Sequence, residues 1–199
     1  MSDPLIDAED DDASTPLTPD ERADLIPSHI TTRGELNEFE ARGVADGDRW
    51  AFSRRRRDLL SAGFLCQLHK RMFGEVWRWA GTYSKEVKRR IGVDHYLIEP
   101  QLRELFDTVR YWIEHKTYSP DETAVRYHHR LTQIHPVPNG NGRLARLAAE
   151  LLIAELGGER FTWSRANLVE EADARKAYMD ALDEADGNVI EPLIEFARL

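Results

Sequence analysis

The chain lacks the features that mark disulfide-bonded, membrane-spanning and secreted proteins. Its 199 residues contain one cysteine, Cys66, which excludes an internal disulfide and a cysteine-based zinc site. No apolar run approaches the roughly 20 residues that a membrane helix needs. The first 17 residues contain six acids and neither Lys nor Arg, whereas a secretory signal begins with basic residues. We therefore expect a cytoplasmic protein with no membrane partner.

Positive charge is also scarce, because 27 Lys and Arg face 36 Asp and Glu, for a formal net charge of -9. A chain this acidic is a poor candidate for non-specific binding to nucleic acid, so no direct nucleic-acid partner is expected. Local basic patches can still bind anions. Hydrophobic residues make up 41% of the sequence, including five Trp and seven Phe, which is enough for a sizeable core.

The predicted organisation is an acidic tail followed by one domain. Residues 1–17 are predicted to be disordered. The domain, residues 18–199, has N-terminal helices over 18–45 and a core over 46–199. Pro19 and the pair Thr32 and Glu35 mark helix starts, since Pro favours the first turn and Thr-x-x-Glu forms a capping box.

Apolar spacing predicts the remaining helices. One long helix is predicted over 48–73, and others follow Pro100 and Ser119. The Ser119 helix runs to about Ile134, and the next extends from about Gly142 to Gly157. Residues 83–98 are rich in β-branched and aromatic residues around a glycine, which favours a short β-hairpin. The predicted fold is mainly α, with one small hairpin.

The segment IHPVPNGNGRLAR, residues 134–146, joins two of these helices. Its prolines and glycines predict a loop. Gly140 and Gly142 allow a ligand close to the backbone, and the following helix offers unsatisfied N–H groups and a positive dipole end. Arg143 and Arg146 are one helical turn apart, so both can bind one polyphosphate. The segment therefore predicts a phosphate site. It is not a Walker A loop, because no Lys-Ser/Thr pair follows the glycines.

His135 lies where the first helix meets this loop. A histidine with its ordinary pKa of about 6.5 accepts a proton near neutral pH. Beside bound phosphates, such a base would deprotonate a hydroxyl that attacks phosphorus. The plainer alternative is a histidine that only caps or packs a helix end. His128 and His129 show no metal-site pattern such as HExxH and are predicted to be structural.

The loop resembles the signature of the Fic family, His-Pro-Phe-x-(Asp/Glu)-Gly-Asn-Gly-Arg-x-x-Arg. Its histidine, first proline, glycines, second asparagine and arginines match in order and spacing. The WRWAG segment upstream is similar to the part of Fic proteins that precedes their target-docking flap. Within the family, TTRGELNE and PNGNGR most resemble the subgroup called mobile mystery protein B. The resemblance implies a Fic-like helical bundle whose flap is the hairpin at 83–98.

The resemblance also implies an adenylyltransferase that moves AMP from ATP, with Mg²⁺, to a hydroxyl side chain of a target protein. His135 would be the general base. Asn141 and the backbone at Gly140 and Gly142 would hold the α-phosphate. Arg143 and Arg146 would hold the β- and γ-phosphates. The target protein would dock on the hairpin at 83–98.

The loop departs from the family pattern at two positions. Val137 stands where Phe usually anchors the loop, so the loop is less rigid or is compensated elsewhere. Asn139 stands where Asp or Glu usually ligates Mg²⁺. A neutral amide oxygen is a weaker magnesium ligand than a carboxylate, although phosphates carry most of the charge at such a metal.

Three further expectations concern regulation and the competing functions. Thr31 and Glu35 partly fit the inhibitory pattern of Fic proteins, (Ser/Thr)-x-x-x-Glu-(Gly/Asn), although Leu36 fails its last position and capping explains Glu35 more simply. Inhibition could instead come from an antitoxin or a helix-turn-helix partner, as in a toxin–antitoxin pair. The alternatives to AMP transfer are transfer of another phosphorus-containing group, removal of AMP, and nucleotide binding without turnover as a regulatory module.

Overall fold

The computed structural model describes residues 19–53, 58–85, 92–163 and 171–199, so the predicted acidic tail lies outside the described residues. Within these ranges the chain is mainly helical, as predicted. The α-helices are α1 (Pro19–Asp24), α2 (Arg33–Phe52), α3 (Ala62–Phe73), α4 (Ile98–His115), α5 (Pro120–Ile134), α6 (Asn141–Glu155), α7 (Glu171–Asp186) and α8 (Glu191–Arg198).

The chain divides into two compact units. Among the described residues, one unit comprises 19–53 and 66–82, and the other comprises 58–65, 83–85, 92–163 and 171–199. α2 belongs to the first unit and continues past residue 46, where the core was predicted to begin.

In the first unit, backbone hydrogen bonds tie the end of α1 to the segment after α3. The N–H of Ile26 donates to the carbonyl of Val76 at 2.8 Å, and Arg78 donates to Asp24 at 3.0 Å. The indole N–H of Trp77 donates to the carboxylate of Glu40 at 2.7 Å. This bond gives the buried Glu40 on α2 a polar partner, as a buried carboxylate requires.

The predicted helix caps are largely confirmed. The Thr32 hydroxyl accepts the Glu35 N–H at 3.2 Å, and the Glu35 carboxylate accepts the Thr32 N–H at 3.1 Å, which completes the capping box of α2. At the start of α5 the Ser119 hydroxyl accepts the Glu122 N–H at 3.2 Å. The Glu122 carboxylate, however, accepts a hydrogen bond from the Arg126 guanidinium at 2.8 Å. The helix predicted to follow Ser119 is thus capped by that serine, and the Glu122 carboxylate turns toward Arg126.

The single helix predicted over 48–73 is wrong. α2 ends at Phe52, and α3 begins at Ala62. Ser61 caps α3, because its hydroxyl accepts the N–H of Phe64 at 3.1 Å. The apolar spacing continues through both helices, so periodicity alone did not reveal the break.

The hairpin predicted over 83–98 falls partly outside the described residues, at 86–91. Its described part contains no strand, and His95–Leu97 forms a 3-10 helix that leads directly into α4 at Ile98. The helix predicted to follow Pro100 therefore begins two residues before it, and Pro100 lies in the first turn of α4. A proline is tolerated there because the first N–H groups of a helix have no partner inside the helix.

α5 and α6 form the centre of the second unit, joined by the loop at residues 135–140. Four leucines on α6 are buried: Leu144, Leu147, Leu151 and Leu152. The helix stops before Gly157, which has a positive φ of 81° that favours glycine, as predicted for this end. The loop thus connects two helices that are fixed by their packing.

Candidate active site

His135 is the residue at which the chain leaves α5. It is the C-cap of the helix, with φ of 53° and ψ of 56°, and its N–H donates to the Leu131 carbonyl at 3.1 Å. Left-handed backbone angles are uncommon for a residue other than glycine. The plainer role considered for this histidine, helix capping, is therefore present in the backbone. Its side chain is partly buried.

The two described ends of the 83–98 segment are hydrogen-bonded on either side of His135. The N–H of Ser84 donates to the Pro136 carbonyl at 2.9 Å, and the N–H of Val93 donates to the Ile134 carbonyl at 3.3 Å. Backbone contacts thus place Ser84 and Val93 beside the histidine; residues 86–91, which lie between them in the sequence, are not described.

Asn141, the first residue of α6, holds the loop together. Its side-chain oxygen accepts the N–H of Val137 at 3.0 Å, and its side-chain nitrogen donates to the Val137 carbonyl at 2.7 Å. Asn141 is 4% exposed and Val137 is 2% exposed. The valine that replaces the usual phenylalanine is thus buried and fixed through its backbone, which favours compensation over a loose loop. The side-chain amide of Asn141 is therefore bound to the loop itself.

Asn139 and Gly140 form the turn into α6. The side-chain oxygen of Asn139 accepts the N–H of Gly140 at 2.7 Å. Gly140 has φ of 79° and is the N-cap of α6. A positive φ at this position allows the chain to reverse into the helix with little strain.

Gly142, in contrast, has ordinary helical geometry and space around it. A Cβ built on Gly142 would meet no atom closer than the Tyr178 hydroxyl at 3.9 Å and an Arg146 nitrogen at 4.0 Å. Both are ordinary van der Waals distances, so the fold itself does not require glycine here. The space beside Gly142 lies at the first turn of α6, where the sequence predicts a phosphate site.

The two predicted phosphate ligands lie on α6, and both are partly buried. The Nε of Arg146 donates to the Gly142 carbonyl at 3.3 Å, one turn earlier on the same helix. Its guanidinium carbon lies 5.3 Å from the centroid of the Tyr178 ring, within the range of a cation–π contact. Arg143 precedes Arg146 by one turn, in the spacing predicted for a polyphosphate.

His128 contacts the same tyrosine as Arg146, and its role is structural, as predicted. It is fully buried, and its Nε2 lies 2.9 Å from the Tyr178 hydroxyl. Burial lowers the pKa of His128 to about 3, and the Arg146 guanidinium adds to the shift. Burial also raises the pKa of Tyr178 to about 12. Both side chains are therefore neutral at neutral pH.

His129, the other predicted structural histidine, anchors α7. Its Nε2 lies 2.7 Å from the carboxylate of Asp186, which also accepts the side-chain N–H of Gln133 at 2.7 Å. These bonds hold the end of α7 against α5. Sequence reasoning missed Tyr178 and Asp186, because no local motif marks a contact between residues about 50 positions apart.

Glu35 lies in the first unit, where its carboxylate is engaged locally. The N–H of Thr31 donates to it at 2.8 Å, in addition to the bond from Thr32 described above. These backbone hydrogen bonds lower the pKa of the Glu35 carboxyl, first through Thr31 and then through Thr32. The contacts are those of a helix cap, the simpler of the two predicted roles.

Comparison with known proteins agrees with the loop signature. The sequence profile of the Fic/DOC family matches residues 59–153. The protein adenylyltransferase Fic of Aedes aegypti is 25% identical over 145 residues, which cover 71% of this chain and 28% of that protein. The chain thus spans about a quarter of that relative's length.

Solved structures of Fic proteins share the fold. Residues 134–508 of Fic-1 from C. elegans give a TM-score of 0.66 at 22% identity, covering 89% of this chain and 51% of that one. BepC from Bartonella tribocorum, solved with bound AMPPNP, gives 0.66 at 18% identity and covers 85% of this chain and 87% of its own. A Bep effector Fic domain from Bartonella quintana, solved with bound ADP, gives 0.65 at 19% identity, with 86% of each chain covered.

The fold is that of a Fic domain. The chain contains a domain of the Fic/DOC family, as the loop at residues 134–146 predicted. Among the residues that the structure describes, no helix is both long and apolar enough to cross a membrane.

Proposed function

We propose that this protein transfers AMP from ATP to a hydroxyl side chain of a target protein. The observation that carries the proposal is the position of His135, a base at the end of α5, directly before the loop that opens α6. The neighbouring helix start supplies N–H donors, and Arg143 and Arg146 supply positive charge. A module that only binds nucleotide has no need of a base beside its phosphates.

In the proposed reaction, an imidazole nitrogen of His135 accepts the proton of the target hydroxyl. The hydroxyl oxygen forms a bond to the α-phosphorus of ATP. The bond between the α-phosphorus and its bridging oxygen breaks, and pyrophosphate leaves with the bonding electrons. General-base assistance of this kind contributes roughly 10²–10⁴-fold to the rate.

Different residues are assigned to the α-phosphate and to the β- and γ-phosphates of ATP. Backbone groups at Gly140, Asn141 and Gly142 would hold the α-phosphate at the start of α6, where the helix dipole favours an anion. Arg143 and Arg146 would hold the β- and γ-phosphates and stabilise the charge of departing pyrophosphate. Asn141 supports this arrangement indirectly, because its side chain fixes Val137 and thereby the shape of the loop.

Asn139 fits magnesium only in part. Its side-chain oxygen already accepts the Gly140 N–H, but a carbonyl oxygen has two lone pairs. Among the described residues, no group of three or more His, Cys, Asp or Glu could hold a metal ion. Asn139 together with the phosphates would hold Mg²⁺, which would supply positive charge against the triphosphate.

The target protein would approach from the side of the 83–98 segment. Ser84 and Val93 are bonded to the backbone on either side of His135, so a peptide bound along this segment would bring its hydroxyl near the base. Control of the activity would come from a separate antitoxin or helix-turn-helix partner, since the contacts of Glu35 are those of a helix cap.

Labelled nucleotides test the proposed function. Purified protein is incubated in a cell lysate with ATP that carries the label on the α- or the γ-phosphate, and in parallel with α-labelled GTP, UTP and CTP. AMP transfer predicts protein labelling from α-labelled ATP alone. Labelling from γ-labelled ATP would indicate phosphate transfer, and labelling from another base would indicate a different nucleotidyl group. Nucleotide binding without any labelling would support the regulatory module instead.

A further inference from the structure

The side chain of Arg146 is fixed from two directions. Its Nε donates to the Gly142 carbonyl at 3.3 Å on its own helix, and its guanidinium lies over the ring of Tyr178 on α7. A free arginine side chain samples many rotamers, and binding a phosphate ordinarily costs that freedom. A guanidinium that is already stacked on a ring has lost part of that freedom before the ligand arrives.

Tyr178 is itself held in place by α5 and α8. Its hydroxyl lies 2.9 Å from Nε2 of the buried His128, and its ring centroid is 5.5 Å from that of Phe196. His128 packs in turn against Trp163, with ring centroids 4.5 Å apart. The aromatic surface under Arg146 is therefore fixed by packing.

These contacts orient the arginine without neutralising it. Because His128 and Tyr178 are both neutral at neutral pH, neither adds a negative charge that would compete with a phosphate. An aromatic face attracts a cation through its quadrupole and leaves the N–H edges of the guanidinium to hydrogen-bond elsewhere.

The helix that carries Tyr178 lies beyond the region matched by the family profile, which ends at residue 153. α7 spans Glu171–Asp186 and is held to α5 by the bonds of Asp186 to His129 and Gln133. The contact with Arg146 is thus made by a part of this chain that the family pattern does not define.

We propose that Tyr178 is a positioning residue for Arg146, so that α7 completes the side of the site that binds the β- and γ-phosphates. The proposal rests on the proposed function only in taking Arg146 as a phosphate ligand. It makes Tyr178 a determinant of selectivity for ATP over AMP, since AMP has no phosphate beyond the α-phosphate.

The test compares the affinities of ATP and AMP by calorimetry in three variants. Tyr178→Leu removes the ring and should weaken ATP binding roughly three- to tenfold, the range expected for a partly buried cation–π contact. Tyr178→Phe keeps the ring and should retain most of the ATP affinity. Arg146→Ala gives the reference loss of ATP affinity, because it removes the side chain that is assigned to the phosphates. AMP affinity should hardly change in any of them.

Tyr118 provides the matched control. Its ring lies 4.5 Å from the guanidinium carbon of Arg126, so the pair is another cation–π contact. Tyr118 precedes the start of α5, whereas the loop follows its end. Tyr118→Leu should therefore leave both affinities unchanged. If Tyr178→Leu does not fold, Tyr178→Met removes the ring with less change in volume and is measured in its place.

The outcomes separate this inference from the proposed function. ATP affinity unchanged in Tyr178→Leu, or reduced equally with AMP affinity, would overturn the positioning role. A loss of ATP affinity in Tyr178→Phe as large as in Tyr178→Leu would also count against stacking of Arg146 on the ring. If wild-type protein binds ATP with the predicted pattern but transfers nothing, AMP transfer fails and the role of Tyr178 stands. If Arg146→Ala does not distinguish ATP from AMP, the premise that Arg146 binds the outer phosphates fails.

Discussion

Gly92 lies directly against His135. A Cβ built on Gly92 would be 2.7 Å from the Cβ of His135 and 3.3 Å from the Ile134 carbonyl oxygen, and the φ of Gly92 is +97°. The first distance is shorter than real Cβ contacts allow. The backbone angle and the lack of space for a side chain therefore both require glycine. Because Gly92 has no side chain, its backbone can lie this close to the proposed base.

The first prediction follows from this contact. Gly92→Ala should displace His135, lower the kcat of transfer and leave the Kd for ATP nearly unchanged, because Gly92 is not assigned to the phosphates. Gly157→Ala is the matched control, since Gly157 also has a positive φ, of +81°, but a Cβ there would meet nothing within 4 Å. It carries the same kind of backbone strain without the contact. Equal kcat values for the two variants would show that Gly92 does not position the histidine.

The second prediction concerns Gly142. Gly142→Ala should raise the free energy of unfolding by up to about 1 kcal/mol, because alanine is the better helix former and the space is available. The same methyl group should weaken ATP binding if a phosphate approaches this turn. Gly63→Ala is the control: Gly63 is also the second residue of its helix, α3, and a Cβ there would meet nothing within 4 Å. Undiminished ATP affinity in Gly142→Ala would exclude close approach of a ligand.

The third prediction separates capping from inhibition at Glu35. Glu35→Ala removes the acceptor of the Thr31 and Thr32 N–H groups and should lower the melting temperature while leaving the transfer rate unchanged. Glu38→Ala, on the same helix and at an exposed position, should change neither quantity. A clear rise in transfer rate for Glu35→Ala alone would instead assign inhibition to this carboxylate.

The fourth prediction concerns pH. The pKa of His128 is about 3 in the folded protein, well below the ordinary value of about 6.5 that applies to the unfolded chain. As pH falls below about 6.5, the unfolded chain binds a proton that the folded protein does not, so stability is full above that pH and declines toward pH 3. The slope from this one group is about 1.4 kcal/mol per pH unit.

Urea unfolding of wild type and His128→Gln between pH 7.5 and 5 isolates this contribution. The variant should be less stable at pH 7.5, since it loses the contacts with Tyr178 and Trp163, but its stability should depend less on pH. In this range Arg146 stays charged and Tyr178 stays protonated. His129, which also acts on His128, is present in both proteins, so its effect is common to the two curves. Parallel curves for the two proteins would contradict a buried neutral His128.

Local chemistry made much of the fold predictable. Several helix ends are set by residues that act only on their near neighbours, so the sequence alone reveals them. These are the caps at Thr32 and Ser119, the proline at the start of α5 and the glycine after α6. The short range of these signals also explains two errors in the predicted helix boundaries. Ser61 caps α3 inside an apolar pattern that runs on unchanged, and Pro100 resembles a stop although a helix tolerates it in the first turn.

For the candidate site, the sequence proposes a set of residues but does not predict the contacts that they make. The sequence indicated His135, the glycines and the arginines because they occupy one continuous segment. The contact of Gly92 with His135 and that of Tyr178 with Arg146 depend on how distant elements pack, which no local pattern encodes. Asn141 shows the same limit at short range, since its bonds to Val137 exist only once the loop has its folded shape.

The central claim is that His135 is the base that activates a target hydroxyl for attack on ATP. The most direct measurement compares wild type and His135→Ala for both the Kd of ATP and the rate of protein labelling from α-labelled ATP. The proposed mechanism predicts a rate at least about 100-fold lower with an almost unchanged Kd, because the base is not part of the phosphate site. Labelling by His135→Ala at the wild-type rate would contradict the assignment.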